Sequence, residues 1–270
     1  MIYYPLTTNT INNEDKKLAI EVIKSGNITR GYYNKSVEKY FSKKFNRYAL
    51  LVNSGSSANL LAMSLLTNNK GRYNLNKNDE VIIPTLCWST SLYPIIQTGL
   101  KPVFVDVDIN NLNLNLEKIQ KKITKKTKAI MVPNLIGNIP DLKKIKRLAT
   151  KYKLKIIEDS ADTLGAKIDN KATGYYSDIS ITSFYGSHVI SCAGNGGMFL
   201  TNNKSFYEKA KVLRSWGRMS TLIKDSENIK KRLNIKLRGF DYDKKFVFSE
   251  VGYNFEPSEI GASFGLVQLK

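Results

Sequence analysis

One histidine, His188, occurs in 270 residues, and it closes the segment Ser183-Phe184-Tyr185-Gly186-Ser187-His188. Imidazole is the side chain best suited to moving a proton near neutral pH. Upstream, Glu158-Asp159-Ser160-Ala161-Asp162 sets two aspartates just past an apolar run, where a carboxylate taken out of water needs a partner. A protonated pyridine nitrogen is such a partner, and the acid opposite it keeps the ring electron-poor; an aspartate capping the next helix has the same appearance. Asn53-Ser54-Gly55-Ser56-Ser57-Ala58-Asn59 follows another apolar run and opens a helical pattern. Gly55 permits a tight turn, Ser56 and Ser57 offer hydroxyl and amide donors, and a helix N-terminus favours an anion. The segment is therefore a candidate phosphate cradle, with a plain serine N-cap as the simpler reading. Trp88, in Pro84-Thr85-Leu86-Cys87-Trp88, could stack on a planar ring or fill core.

These segments fall at the joints of a regular pattern. Asn13 to Lys24 has acidic residues first and apolar residues at helical spacing before Gly26, and a second helix is predicted over Asn34 to Lys44. Short apolar runs then alternate with longer helical patterns: Tyr48 to Val52, Ser56 to Leu66, Glu80 to Ile83, Ser89 to Gln97, Pro102 to Val105, Ala129 to Val132 and Lys155 to Glu158. That alternation predicts an α/β fold with a mostly parallel sheet, whose ligands sit at the carboxyl ends of the strands. Ile179 to Phe184 and Gly197 to Leu200 predict a hairpin-like pair flanking His188, with glycine-rich Ala193 to Gly197 as a turn. Lys204 to Trp216 reads as a helix, Met219 to Phe248 as a polar stretch without clear periodicity, and Ser258 to Lys270 as an apolar helical pattern. No cap follows that last pattern, so the C-terminus is expected to be a cut.

Composition sets the broad class. Hydrophobic content of 42% and charged content of 24% are ordinary for a globular chain. No run of about 18 apolar residues occurs, and Met1-Ile2-Tyr3-Tyr4 lacks a leader pattern, so neither a membrane span nor export is expected and a cytoplasmic location is. Two cysteines, Cys87 and Cys192, are too few for a disulfide framework or a four-cysteine metal site and are expected to be buried. The formal net charge is +19, which raises nucleic acid as a partner. The lysines, however, are spread over Lys118 to Lys122, Lys143 to Lys146 and Lys230 to Arg232 at spacings that suit solvated helix faces, and the abundance of Lys, Asn and Ile fits an A+T-rich coding sequence. Nucleic acid is not expected.

The first three segments above, together with Val103 to Asp108, Ser215-Trp216-Gly217-Arg218, Gly252-Tyr253-Asn254 and Gly265 to Leu269, resemble the DegT/DnrJ/EryC1/StrS family of nucleotide-sugar aminotransferases from end to end. Within it the chain is most similar to the 3-dehydrases of 3,6-dideoxysugar synthesis, in which histidine replaces the lysine that captures pyridoxal phosphate as a Schiff base. The resemblance implies a fold-type I pyridoxal-phosphate enzyme, mostly parallel sheet with helices on both faces, acting as a homodimer. It implies an N-terminal arm and helix over 1–35, a large cofactor-binding domain over 36–250, and over 251–270 the start of the connection to a small C-terminal domain that is missing. By the same resemblance Gly55, Ser56, Ser57 and Ser183 would hold the cofactor phosphate, Asn254 would reach the phosphate in the partner subunit, and Trp88 would stack on the ring. Asp159 would pair with the pyridine nitrogen, Asp162 would lie near the ring hydroxyl, and His188 would be the catalytic base.

The activity so implied is dehydration at C3 of a nucleotide-linked 4-keto-6-deoxysugar, with pyridoxamine or pyridoxal phosphate as cofactor and glutamate as amino donor. Imidazole cannot form the imine that lysine forms, yet it still moves a proton. The cluster-containing branch of these dehydrases has a cysteine where Ser160 and Ala161 stand, and no cysteine follows Cys192, so no iron-sulfur cluster is expected. Gly186 stands where the family often has proline, and Cys192 to Gly197 differs from its usual acidic glycine-rich phrase. The alternatives are an aminotransferase of the same family, and a truncated relative or basic scaffold with a binding role.

Overall fold

The computed structural model describes residues 5, 10–68, 74–224, 228–233 and 235–270. Helix α1 (Asn13–Ser25) starts at a capping box between Asn12 and Asp15 and stops at Gly26, whose φ of 71° terminates it in the left-handed region. Helix α2 (Tyr32–Phe45) leads into β1 (Tyr48–Val52) and α3 (Gly55–Thr67). The alternation continues through β2 (Glu80–Pro84), α4 (Ser89–Gln97), β3 (Lys101–Val105), α5 (Leu116–Lys122), β4 (Thr127–Pro133), α6 (Leu142–Tyr152) and β5 (Lys155–Asp159). A small hairpin, β6 (Lys167–Ile168) and β7 (Lys171–Ala172), precedes β8 (Ile179–Ser183), β9 (Gly197–Thr201) and α7 (Lys204–Arg214). The stretch without periodicity holds α8 (Ile229–Arg232) and a second hairpin, β10 (Ile235–Leu237) and β11 (Phe240–Tyr242), before α9 (Glu259–Gln268).

Seven strands form one sheet in the order β1-β9-β8-β5-β4-β2-β3. The pairs from β3 across to β8 are parallel, and β9 is antiparallel to both β8 and β1. Only β9 runs against the rest, so the carboxyl ends of β1, β2, β5 and β8 share one edge. The start of β9 lies there too, because Gly197 is in register with both Val52 and Ser183. The predicted fold class and the strand pair flanking His188 are both present.

The strands read as continuous apolar runs because helices cover both faces. Leu50, Val81, Met131, Ile157 and Phe199 pack with α3 and α7 residues such as Leu61, Leu65 and Leu213. Ile82, Ile130, Val132 and Ile156 pack against Ile119 of α5 and Ile145 of α6, whose lysines face water as their spacing predicted. Ala49, Leu51, Met198 and Leu200 pack with Val37 and Phe41 of α2 and Ala262 of α9. Cys192 is buried in that third cluster, whereas Cys87 is only half-buried, a departure from the expectation for both thiols; it sits in the loop leaving β2, beyond the strand's cover.

Helix α9 locks onto the N-terminal helices through a buried carboxylate. Glu259 accepts the backbone N–H groups of Gly31, Tyr33 and Asn34, and the Asn34 amide as well. It neutralises the exposed donors at the start of α2, which has no side-chain cap of its own. Among the described residues no helix is long and apolar enough to cross a membrane.

Candidate active site at the strand ends

Asp159 is the last residue of β5 and is 7% exposed. Its Oδ2 accepts the Asn59 amide at 2.8 Å and the Ser91 hydroxyl at 2.7 Å, and its Oδ1 accepts the Ala161 N–H at 3.2 Å. Desolvation by burial raises its pKa, against these hydrogen bonds, and the neighbouring Asp162 adds to the rise. Among the described residues no cation pairs with it. Asn59 and Ser91, which sequence reading did not single out, are polar residues buried in the first turns of α3 and α4. An amide buried in an apolar helix was the signal that could have found Asn59.

The loop from β1 to α3 is built by close packing. Ser54, rather than Ser56 or Ser57, is the N-cap, accepting the Ser57 N–H at 3.0 Å. A Cβ on Gly55 would fall 2.5 Å from Cβ of Ser183, and one on Gly197 would fall 2.4 Å from the Ser54 carbonyl. Glycine at both positions therefore lets the loop lie against the ends of β8 and β9. Ser56 stays exposed, and its hydroxyl bonds Thr90 at 3.0 Å across to α4. Ser183 is buried beside Gly55, and its Oγ accepts the Tyr185 N–H at 3.3 Å.

Trp88, at the N-cap of α4, is 70% exposed, so core packing is not its role. His188 Nε2 lies 3.7 Å from Asp162 Oδ1, and Asp162 Oδ2 accepts the Ile136 N–H at 3.1 Å. The side chain assigned by resemblance to the ring hydroxyl thus faces His188. Asn254 is exposed and forms an isolated bridge with Ser215; no hydrogen bond among the described residues ties it to Asp159, Ser183 or His188. Its strand-like segment is held by the Trp216 N–H to Tyr253 carbonyl bond at 2.7 Å and by the Tyr253 hydroxyl, 2.9 Å from Ser64 Oγ of α3. A cleft of about 560 Å³ shares Asn53 and Ser54 with this loop but is otherwise lined by residues such as Cys192, Glu256 and Gly261. It lies apart from Asp159, Trp88 and His188, which stand on the strand-end edge itself.

A mainly parallel sheet with helices on both faces, carrying a glycine-serine loop, a buried aspartate and an exposed tryptophan at its strand ends, is the architecture of pyridoxal-phosphate enzymes of fold type I. The model of the DegT/DnrJ/EryC1/StrS aminotransferase family matches residues 9–270. The chain belongs to that family.

Two relatives define the neighbourhood. The GDP-4-keto-6-deoxy-D-mannose 3-dehydratase of Escherichia coli O55:H7 is 34% identical over 100% of this chain and 68% of its own length. The lipopolysaccharide biosynthesis protein RfbH of Salmonella typhimurium is 36% identical over 98% of this chain and 62% of its own. The solved structure of the E. coli GDP-4-keto-6-deoxy-D-mannose 3-dehydratase with bound hydrated PLP superposes with a TM-score of 0.89 at 34% identity, covering 100% of this chain and 68% of that one. The chain thus spans about two thirds of the length of these relatives.

Proposed function

We propose that the protein is a pyridoxal-phosphate-dependent 3-dehydrase acting on a nucleotide-linked 4-keto-6-deoxyhexose, in the cytoplasm, as a homodimer with glutamate as amino donor. The observation that carries this reading is the pairing of a cation-free buried carboxylate, Asp159, with a histidine where the aminotransferases of this family use lysine.

The residues fit the cofactor. Among the described residues Asp159 has neutral donors around it and no cation, which a protonated ring nitrogen would supply. Trp88 offers an exposed indole face at the neighbouring strand end. The N-terminus of α3 and the Ser56, Ser57 and Ser183 side chains offer donors to a phosphate. When bound, the cofactor supplies an amine for the sugar's keto carbon and an electron-poor ring that stores the pair released by proton loss.

The chain's own residues then have separable tasks. Asp159 keeps the ring nitrogen protonated, and Asn59 and Ser91 hold that carboxylate in place. Trp88 covers one ring face. His188 takes a proton at its imidazole, and because imidazole forms no imine it leaves the cofactor free to meet the substrate as an amine. With that chemistry supplied, the C3 hydroxyl would leave as water, and the product would be a deoxysugar in place of an aminosugar.

Incubating the protein with pyridoxal phosphate, glutamate and GDP-4-keto-6-deoxymannose should yield 2-oxoglutarate, ammonia and a deoxysugar, read by mass spectrometry. An aminosugar product, or a lysine covalently labelled by cofactor after borohydride reduction, would overturn the assignment.

A further inference from the structure

Residues 116–155 hold thirteen lysines and arginines against two acids, Glu117 and Asp141, and so carry more than half of the formal net charge of +19. A coding bias adds lysine throughout a chain; it does not clear the acids from one stretch. The fold gathers much of this charge at one end of the sheet. Strands β4 and β5 are parallel neighbours with Ala129 level with Lys155, so the turns leading into them lie side by side. Lys121, Lys122, Lys125, Lys126, Lys151 and Lys153 are all exposed on those turns. Among the described residues none of the six has an ion-pair partner.

The acids at this end are already engaged. Glu80 is buried and accepts the hydroxyls of Thr124 and Thr127, Asp178 pairs with Lys155 and accepts the Ile156 N–H, and Asp79 accepts the Asn76 N–H. Twelve of the thirteen cations are lysine, a hydrated point charge, where fitted phosphate and base contacts draw on the arginine fork. A protein interface needs an apolar centre. The one large exposed apolar side chain in this stretch is Ile136, which follows β4 at the other end of the sheet. Single-stranded nucleic acid needs stacking platforms, and the one aromatic residue here, Tyr152, is half-buried. A surface of smeared negative charge asks for none of these features.

We infer that the amino ends of β4 and β5 form a docking surface for an anionic phospholipid bilayer, held by charge and without insertion of apolar side chains. Lys155 opens β5 and Asp159 closes it, so the docking end and the candidate site lie at opposite ends of one strand. A chain docked in this way keeps its site turned from the lipid and open to a soluble substrate. The inference does not depend on which reaction the site performs.

Co-sedimentation with phosphatidylcholine vesicles carrying about 30% phosphatidylglycerol tests it. The unsubstituted protein should pellet with them at about 0.05 M salt, stay in solution with pure phosphatidylcholine, and be released at about 0.5 M salt, where charges are screened over a few ångströms. Lys121→Gln, Lys122→Gln, Lys125→Gln and Lys126→Gln combined should weaken partition by about 100-fold or more, since each lysine at such a surface contributes a factor of about five. The same loss of charge placed on the exposed Lys16, Lys17, Lys24 and Lys35 of α1 and α2 should cost less than about fivefold. Absence of the unsubstituted protein from the anionic pellet at low salt, or its retention at high salt, overturns the inference whether or not the variants fold. Equal losses in the two variants would show net charge acting without a surface and overturn it too. Tighter binding to duplex DNA than to the vesicles, at equal phosphate and about 0.15 M salt, would make nucleic acid the partner instead.

Discussion

Asp159 is costly where it stands. Without a cation beside it, burial raises its pKa, and the equally buried Glu158 is raised for the same reason. A carboxyl whose folded-state pKa is raised favours folding while it is protonated, below its ordinary value near about 4, and that contribution is lost as pH rises through the folded value. The cofactor-free protein therefore carries a penalty at neutral pH that Asp159→Asn removes. Thermal melts of that variant, followed upward from about pH 4, are expected to show a flatter decline with pH than the parent. Turnover should move the other way, falling roughly 10²-fold in kcat, the order that loss of one preorganised electrostatic group costs. A variant of unchanged turnover would remove Asp159 from the site.

At the scale of elements, the strands and helices that carry the site announced themselves and the small hairpins did not. The runs at Tyr48, Glu80, Lys155 and Ile179 are strands because each is a short apolar stretch covered on both faces. Hairpins β6–β7 and β10–β11 have strands of two or three residues and no buried face, so they leave no periodicity to read. Serine chemistry was ambiguous in the same way. Three serines stand within Ser54 to Ser57, and only the backbone turn selects Ser54 as the cap. Asp162 and His188 meet through the loops after β5 and β8, a contact that neither segment's pattern encodes. The tight seat of the serine loop has a direct check: Gly55→Ala sets a methyl group against Ser183 and should cost about 1–3 kcal/mol by overpacking. Chemical denaturation reads that loss, and a stability equal to the parent's would mean the loop has slack.

Over the whole molecule, the first and last described helices are one unit in space. Glu259 of α9 supplies the missing cap of α2 from more than two hundred residues along the chain. Glu259→Ala leaves buried N–H groups without an acceptor and should destabilise the protein by about 3 kcal/mol, measured by urea titration; a loss confined to fraying of the start of α2 would show that the cap does not hold the fold together. The net charge of +19 is spread over solvated helix faces such as those of α5 and α6. Finally, β1 has one sheet neighbour, β9, and the loop after β1 is shaped by contact with Ser183 and Gly197. During synthesis the serine loop emerges early but has nothing to mould it until the chain has been made through Thr201. Its shape is thus a late product of translation, and the pairing of β1 with β9 is a long-range closure of the kind that sets folding speed.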